Sequence, residues 1–200
     1  MGEPAKKDDR RYLYRDYKTW PDDERWELID GVAWNMSPAP SMGHQALSME
    51  LSHAIRAFLG KSGCRVFAAP FDVLLPEKSG QDEDEVPNVV QPDLAVICDP
   101  SRLRRFGCLG APDWVIEILS PYTSRRDMAE KRSLYERRGV REYWVVDPGN
   151  CYVHVYVRGE DGRYADPLVY VGAATIASTV CPGFELRLAE LFTAVPGSLG

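Results

Sequence analysis

Residues 90–97 read VQPDLAVI, and residues 114–121 read WVIEILSP. Each segment is a short apolar run with a proline in or after it, which predicts a buried β-strand. Each also contains one carboxylate, Asp93 in the first segment and Glu117 in the second. Because a lone carboxylate is costly to bury, two of them on neighbouring strands suggest one shared cation. The alternative is that each carboxylate lies at a strand end, capped by backbone N–H groups or paired with an arginine.

The pattern along the rest of the chain predicts an α/β (α+β) fold with a central mixed β-sheet flanked by helices. Asp30-Gly31 favours the type I′ turn of a β-hairpin near the N-terminus, and a second hairpin is expected near the C-terminus. The path from Glu117 through a helix to the next strand is a candidate parallel crossover. The hairpins are predicted at 26–36 and 152–171, the long helices at 43–59 and 124–138, and the last strand of the crossover at 142–146.

The size and composition of the chain indicate one globular domain. The 200 residues are 44% hydrophobic and 27% charged, and no apolar run approaches the ~20 residues of a membrane span. We expect a flexible tail at 1–11, a single domain at 12–193 and a C-terminal tail at 194–200. The charged N-terminus lacks the apolar centre of a signal peptide. The five cysteines are scattered without a CxxC pair, which argues against a zinc site or a disulfide framework. Both observations predict a cytoplasmic protein.

The formal net charge of −6 is not typical of a nucleic-acid-binding protein, but the charge is unevenly distributed. Residues 77–93 contain six acidic residues and one lysine, whereas residues 101–142 contain ten basic and six acidic residues. A local basic field can steer a polyanion even when the total charge is negative. A solvated helix face of mixed charge explains most of these arginines equally well.

The two carboxylates suit a hard cation such as Mg²⁺, which binds few protein oxygens and keeps several waters. On the helix that follows Glu117, residues Asp127, Lys131 and Tyr135 are spaced four apart and line one stripe. A lysine on that stripe can orient an attacking water or stabilise developing charge. The alternative is that Asp127 and Lys131 form an ordinary surface ion pair.

Five segments in order resemble the Uma family of "putative restriction endonucleases", which belongs to the PD-(D/E)XK nuclease superfamily. The resemblance covers nearly the whole chain, from about residue 12 to residue 191. The segments that carry it are ELIDG (27–31), QPD (91–93), EILSP (117–121), the Asp127, Lys131, Tyr135 spacing and GVREYWVVDP (139–148).

The resemblance implies a restriction-endonuclease-like core and Mg²⁺-dependent hydrolysis of phosphodiester bonds, with Mn²⁺ as an alternative metal. By this resemblance Asp93 and Glu117 are metal ligands, with the backbone carbonyl of Ile118 as a third, and Glu27 is an N-terminal acidic residue of the site. The superfamily places a lysine two residues after the second acidic residue, where this chain has Leu119. The Uma pattern places the lysine on the following helix, at Lys131.

The sequence thus predicts an endonuclease that cleaves DNA with Asp93, Glu117, Lys131 and Glu27, and a homodimer that cuts both strands of a duplex. His44 precedes the first long helix and is a candidate phosphate contact. Two alternatives stay open. One is an inactive binding module with the nuclease fold, which the net charge and the missing strand lysine favour. The other is a metal-dependent phosphohydrolase that acts on nucleotides.

Overall fold

The computed structural model describes residues 6–21, 23–36, 40–60, 62–120 and 127–193, with the backbone alone at 127 and 128. Residues 1–5 and 194–200 of the predicted tails lie outside these ranges. Within the first tail, Lys6 forms an isolated bridge with Trp34, and the Lys7 N–H donates to the carbonyl of Ala33. The described part of that tail therefore contacts the N-terminal hairpin.

The chain alternates short strands with few helices. The strands are β1 (Trp26–Ile29), β2 (Val32–Asn35), β3 (Arg65–Ala68), β4 (Asp72–Leu74), β5 (Val89–Val90), β6 (Leu94–Ile97), β7 (Gly107–Leu109), β8 (Trp114–Ile118), β9 (Glu142–Asp147), β10 (Tyr152–Val157), β11 (Leu168–Val171), β12 (Thr175–Ala177) and β13 (Glu185–Arg187). The helices are α1 (Tyr14–Tyr17), α2 (Met42–Leu59), α3 (Arg132–Arg138) and α4 (Leu188–Thr193). A π-helical turn, Asp127–Lys131, leads into α3, and 3₁₀ turns lie at Glu83–Glu85 and Pro100–Arg102.

The larger sheet is mixed and has six strands in the order β11-β10-β9-β8-β6-β3. The predicted crossover is confirmed, because β8 and β9 pair in parallel with Glu117 opposite Val145. The C-terminal hairpin is confirmed as the antiparallel pair β10–β11. On the other side of β8, strand β6 pairs antiparallel with Leu94 opposite Ile116. The predicted central mixed sheet with flanking helices is therefore present.

A second sheet of five strands, β2-β1-β5-β4-β7, was not predicted. It begins with the predicted N-terminal hairpin, whose turn residues Asp30 and Gly31 have positive φ angles of 49° and 76°. The segment read as one strand from Val90 to Ile97 is divided between the two sheets. Strand β5 ends at Val90 in the smaller sheet and β6 begins at Leu94 in the larger one. Pro92 lies in the break, where it lacks the N–H that a continuous ladder would need.

Three hydrophobic clusters hold these layers together. The first lies between one face of the larger sheet and helices α2 and α4, and it includes Leu51, Trp114 and Trp144. The second fills the space between the two sheets and α3, and the third covers the outer face of the smaller sheet against α1. Helix α2 begins at the N-cap Ser41, whose hydroxyl accepts from the His44 N–H, and ends at Gly60. Strands β1 and β8, which carry Glu27 and Glu117, are therefore packed within these layers.

Cys64 and Cys98 form a disulfide, whereas the cysteine spacing had argued against disulfide bonding. They continue the register of the β3–β6 pair, in which Arg65 lies opposite Ile97. Two residues 34 positions apart in sequence thus become cross-strand neighbours, a proximity that linear spacing does not reveal. Among the described residues, no helix combines the length and hydrophobicity required to cross a bilayer.

Candidate active site

Glu117 lies in the middle of the buried site. All five residues of β8 are buried, and the Glu117 side chain is 4% exposed. It lies on the sheet face of Val115, which packs in the cluster between the two sheets. Its Oε1 accepts hydrogen bonds from Lys131 Nζ at 2.9 Å and from the Tyr135 hydroxyl at 2.7 Å. Two residues of the predicted stripe, Lys131 and Tyr135, therefore lie over this carboxylate.

Lys131 joins the two sheets electrostatically. Its side chain is 3% exposed, so the alternative of a surface pair with Asp127 does not describe it. Lys131 Nζ lies 2.8 Å from Glu27 Oε1 as well as 2.9 Å from Glu117 Oε1. One ammonium thus meets two buried carboxylates, one from β1 and one from β8. The Asp127 side chain lies outside the described residues.

Glu27 reaches the site from the N-terminal hairpin. It is fully buried and lies in β1. Its Oε1 accepts a hydrogen bond from the Gln91 backbone N–H at 3.0 Å in addition to the contact with Lys131. A buried carboxylate with a cationic partner and a backbone donor is stable in such an environment.

Asp93 lies at the break between β5 and β6, at the rim of the site. The β6–β8 register, continued by one residue, places it opposite Glu117. Its Oδ2 accepts the Ile118 N–H at 2.7 Å and lies 3.1 Å from His44 Nε2. The side chain is 18% exposed, which makes it the most accessible of the four predicted site residues. The alternative in which a backbone N–H group caps the carboxylate thus describes part of the environment of Asp93.

The donors at this rim fit a hard divalent cation. Among the described residues, no three His, Cys, Asp or Glu side chains come together closely enough to form a metal cluster. A Mg²⁺ ion requires only one or two carboxylates and completes its shell with water. Both contacts that His44 and Ile118 make to the Asp93 carboxylate end on Oδ2. Asp93 and Glu117, which lie opposite each other in the continued β6–β8 register, are the described carboxylates that could hold such an ion.

Tyr135 is a member of the site that the sequence placed on the stripe without assigning it a role. Burial raises the pKa of its hydroxyl well above the ordinary value, and the Glu117 and Glu27 carboxylates add to this effect. The hydroxyl therefore stays protonated and keeps donating to Glu117 Oε1. His44, predicted as a phosphate contact, is a direct neighbour of Asp93.

A second polar cluster beside Glu27 was missed by the sequence analysis. Tyr17 and Gln91 both donate to Asp72 Oδ1, at 3.0 and 2.8 Å. Burial raises the pKa of the Asp72 carboxyl, although the hydrogen bonds from Gln91 and Tyr17 oppose this shift, and Glu27 adds to it. Tyr17 and Gln91 are 55 and 19 positions away from Asp72 in the sequence. Only the position of Gln91, two residues before Asp93, gave a sequence signal.

Comparison with known proteins identifies the family. The sequence profile of the Uma2 family, described as "Putative restriction endonuclease", matches residues 14–189. The chain belongs to the Uma2 family. An uncharacterised protein of Synechocystis sp. is 25% identical over 152 residues, which are 74% of this chain and 75% of that protein.

The fold is also shared with a solved structure. A protein from Anabaena variabilis, described as a "putative nuclease belonging to DUF820", superposes with a TM-score of 0.74. The match covers 93% of this chain and 99% of the other at 21% identity. The identity is low, so this likeness describes the fold alone. The Uma2 chain that carries Glu27, Asp93, Glu117 and Lys131 thus shares the architecture of that protein over nearly its whole length.

Proposed function

We propose that this Uma2 protein is a Mg²⁺-dependent endonuclease that hydrolyses phosphodiester bonds in DNA. The observation that carries the proposal is the position of the Lys131 amine, within 2.9 Å of both Glu27 and Glu117 at the sheet rim that also holds Asp93. The descriptions of the family and of the Anabaena protein support the same class of reaction. DNA as the substrate and magnesium as the metal are parts of this proposal.

In this proposal Asp93 and Glu117, with the Ile118 carbonyl, hold the metal. A divalent ion there supplies charge neutralisation at the phosphate and a more acidic water. Lys131 donates a hydrogen bond to the attacking water or to a phosphate oxygen as negative charge develops. Glu27 and Tyr135 hold the two groups that act, because Glu27 contacts the amine and Tyr135 contacts the Glu117 carboxylate. Hydrolysis forms one P–O bond from water, breaks the bond to the leaving sugar oxygen, and transfers the water proton to that oxygen or to solvent.

In this proposal the Lys131 side chain takes the role of the lysine that the superfamily carries on the strand. Leu119, two residues after Glu117, is buried and packs in the cluster between the sheets. The helix amine reaches Glu117 Oε1 from above the same sheet face. The missing strand lysine therefore does not favour the inactive binding module, because a lysine is present at the carboxylate.

A cleavage assay tests the proposal. Supercoiled plasmid and single-stranded oligonucleotides are incubated with the wild-type protein, Asp93→Asn or Glu117→Gln, in the presence of Mg²⁺ or Mn²⁺. We expect metal-dependent cleavage by the wild type and loss of cleavage by both variants. Equal activity of all three proteins would reveal a contaminant and refute the assignment. Cleavage of mononucleotides but not oligonucleotides would favour the phosphohydrolase, and no cleavage would favour the binding module.

For duplex DNA, the proposal includes a two-fold homodimer with one site for each strand. The edge strand β11 of the larger sheet supports this part, since Leu168, Val169 and Val171 are all more than half exposed. An exposed apolar edge strand can pair with the same strand of a second copy. Light scattering of the wild type and of Val169→Lys checks it, with a dimer expected for the first and a monomer for the second. A monomeric wild type would remove the homodimer from the proposal.

A further inference from the structure

Gln91 connects the proposed catalytic site to the polar cluster around Asp72. Its backbone N–H donates to Glu27 Oε1 at 3.0 Å, and the same oxygen lies 2.8 Å from Lys131 Nζ. The Gln91 peptide and the Lys131 amine therefore hold one carboxylate oxygen from two sides. The orientation of Glu27 toward the amine depends on where the Gln91 backbone lies.

The side chain of Gln91 makes three further contacts. Its Nε2 donates to Asp72 Oδ1 at 2.8 Å and lies 3.2 Å from the Tyr17 hydroxyl, while its Oε1 accepts from Arg25 at 3.0 Å. A carboxylate only accepts hydrogen bonds and a guanidinium only donates them. The amide is therefore fixed in one orientation, with its nitrogen toward Asp72 and its oxygen toward Arg25.

These contacts matter because residue 91 lies outside both sheets. Strand β5 ends at Val90 and β6 begins at Leu94, and Pro92 between them has no N–H to pair. No strand ladder thus includes the Gln91 peptide. Asp72 provides a rigid support, because it lies in β4 and pairs with Gly107 of β7. The two backbones are so close that a Cβ added to Gly107 would come within 2.0 Å of the Asp72 carbonyl oxygen. The side-chain amide ties an irregular peptide to this tightly packed strand.

We infer that Gln91 is a positioning residue, whose side chain holds its own peptide so that Glu27 faces Lys131. The inference rests on the proposed function, because the position of Glu27 affects catalysis only if Lys131 acts in it. A displacement of about 1 Å in a catalytic group can reduce a rate about 100-fold. A positioning role predicts a lower kcat with little change in KM, since Gln91 does not contact the substrate.

The variant Gln91→Met tests this role, because methionine keeps the length of the side chain and removes all three amide contacts. Gln81→Met is the matched control. Gln81 also has a bound amide, which donates to the Glu85 carbonyl at 2.9 Å and accepts from the Glu77 N–H at 2.7 Å, but it lies in a loop without contact to Glu27. We expect Gln91→Met to lower kcat at least about tenfold with KM within about twofold, and Gln81→Met to keep both values. Equal kcat values for the two variants would overturn the inference.

Crystal structures of the wild type and Gln91→Met provide a measure that does not require cleavage. We expect the distance from Glu27 Oε1 to Lys131 Nζ to lengthen beyond hydrogen-bonding range in the variant. An unchanged distance would overturn the positioning role. If the wild type cleaves no DNA, the proposed function fails, and this distance alone decides whether Gln91 positions Glu27.

A second variant keeps the test valid if Gln91→Met does not fold. Asp72→Asn keeps an acceptor oxygen for Gln91 and Tyr17 but removes the negative charge, so it weakens the support without opening a cavity. We expect a loss of kcat in the same direction as for Gln91→Met and smaller in size, with KM again unchanged. A higher KM with an unchanged kcat would contradict the positioning role and would indicate a contact with the substrate.

Discussion

Lys131 Nζ and Glu27 Oε1 lie 2.8 Å apart although the two residues are 104 positions apart in the chain. The amine enters from the π-helical turn before α3, and the carboxylate enters from the hairpin strand β1. Both side chains are almost completely buried. Because Lys131 Nζ also contacts Glu117 in β8, the amine links the smaller sheet to the larger one.

Replacement of Lys131 by Met is expected to reduce both activity and stability. The change removes the cation shared by Glu27 and Glu117 and leaves two buried carboxylates close to each other. Loss of one partner of a buried ion pair costs about 3–5 kcal/mol, and loss of a transition-state donor costs about 100- to 1000-fold in kcat. Urea unfolding and the plasmid assay measure the two effects. The control Lys78→Met alters an exposed lysine, and an equal loss of stability in both variants would contradict the importance of this pair.

The sequence predicted the part of the site that local patterns encode. The short apolar runs indicated the strand that carries Glu117 and the strand that begins directly after Asp93, and the helix that follows Glu117 was expected to place Lys131 over that carboxylate. The strand predicted at Asp93 itself is interrupted there, between β5 and β6. The hairpin around Asp30-Gly31 was also predicted, because a two-residue turn is determined by adjacent residues. These features depend on contacts between neighbours in sequence or on one parallel crossover connection.

The remaining features depend on pairings that no local pattern contains. Periodicity shows which face of a strand is buried but not which strand lies beside it, so the second sheet that carries Glu27 was missed. The hydrogen bonds of Asp72 to Tyr17 and Gln91 join three distant elements for the same reason. The Cys64–Cys98 disulfide follows from the β3–β6 register, which sequence spacing alone did not predict.

Stability is expected to fall in alkaline solution because of buried tyrosines. Burial raises the pKa of Tyr17, Tyr135 and Tyr164 above the ordinary value of 10.0. Above pH 10 the unfolded chain releases these phenolic protons while the folded protein retains them, so unfolding becomes more favourable as pH rises. Each such phenol contributes a slope of up to about 1.4 kcal/mol per pH unit.

Denaturant unfolding between pH 8 and 11.5 measures this slope. Below pH 10 the tyrosines are protonated in both states, and we expect no contribution from them. The variant Tyr135→Phe should show a shallower decline than the wild type above pH 10. Tyr170→Phe, which alters a half-buried tyrosine on the edge strand β11, serves as the control. Identical slopes for the wild type and Tyr135→Phe would show that Tyr135 ionises as freely in the folded protein as in the unfolded chain.

Asp93 is expected to control the response to divalent metal. A metal that binds only the folded protein raises its stability, by about 2.7 kcal/mol at a concentration 100 times the Kd. We expect Mg²⁺ or Mn²⁺ to raise the melting temperature of the wild type and not that of Asp93→Asn. The control Asp99→Asn changes a carboxylate two residues beyond β6, which caps a 3₁₀ turn through the Ser101 N–H. A full metal response in Asp93→Asn would exclude Asp93 as a ligand.

Glu142 provides a comparison between a structural carboxylate and the proposed site. It is fully buried, its Oε1 accepts from Trp144 Nε1 at 2.6 Å, and its Oε2 accepts four hydrogen bonds from the loop at residues 178–180. In Glu142→Gln an amide nitrogen replaces one carboxylate oxygen, so the groups that donated to that oxygen lose their acceptor. Each buried donor without an acceptor costs about 1–3 kcal/mol. We therefore expect a loss of about 3 kcal/mol or more in urea unfolding, against almost none for the exposed Glu185→Gln.

The metal response separates the two roles of buried carboxylates. Glu142 lies at the start of β9 and anchors the C-terminal segment. Glu117 lies near the end of β8, where it contacts Lys131 and lies opposite Asp93 in the continued β6–β8 register. Glu142→Gln should therefore lose stability but keep the rise in melting temperature that Mg²⁺ produces in the wild type. Glu117→Gln should lose that rise. If Glu142→Gln loses the response while still folded, the C-terminal loop supports the metal site, and the assignment of the site to the β6–β8 rim alone is wrong.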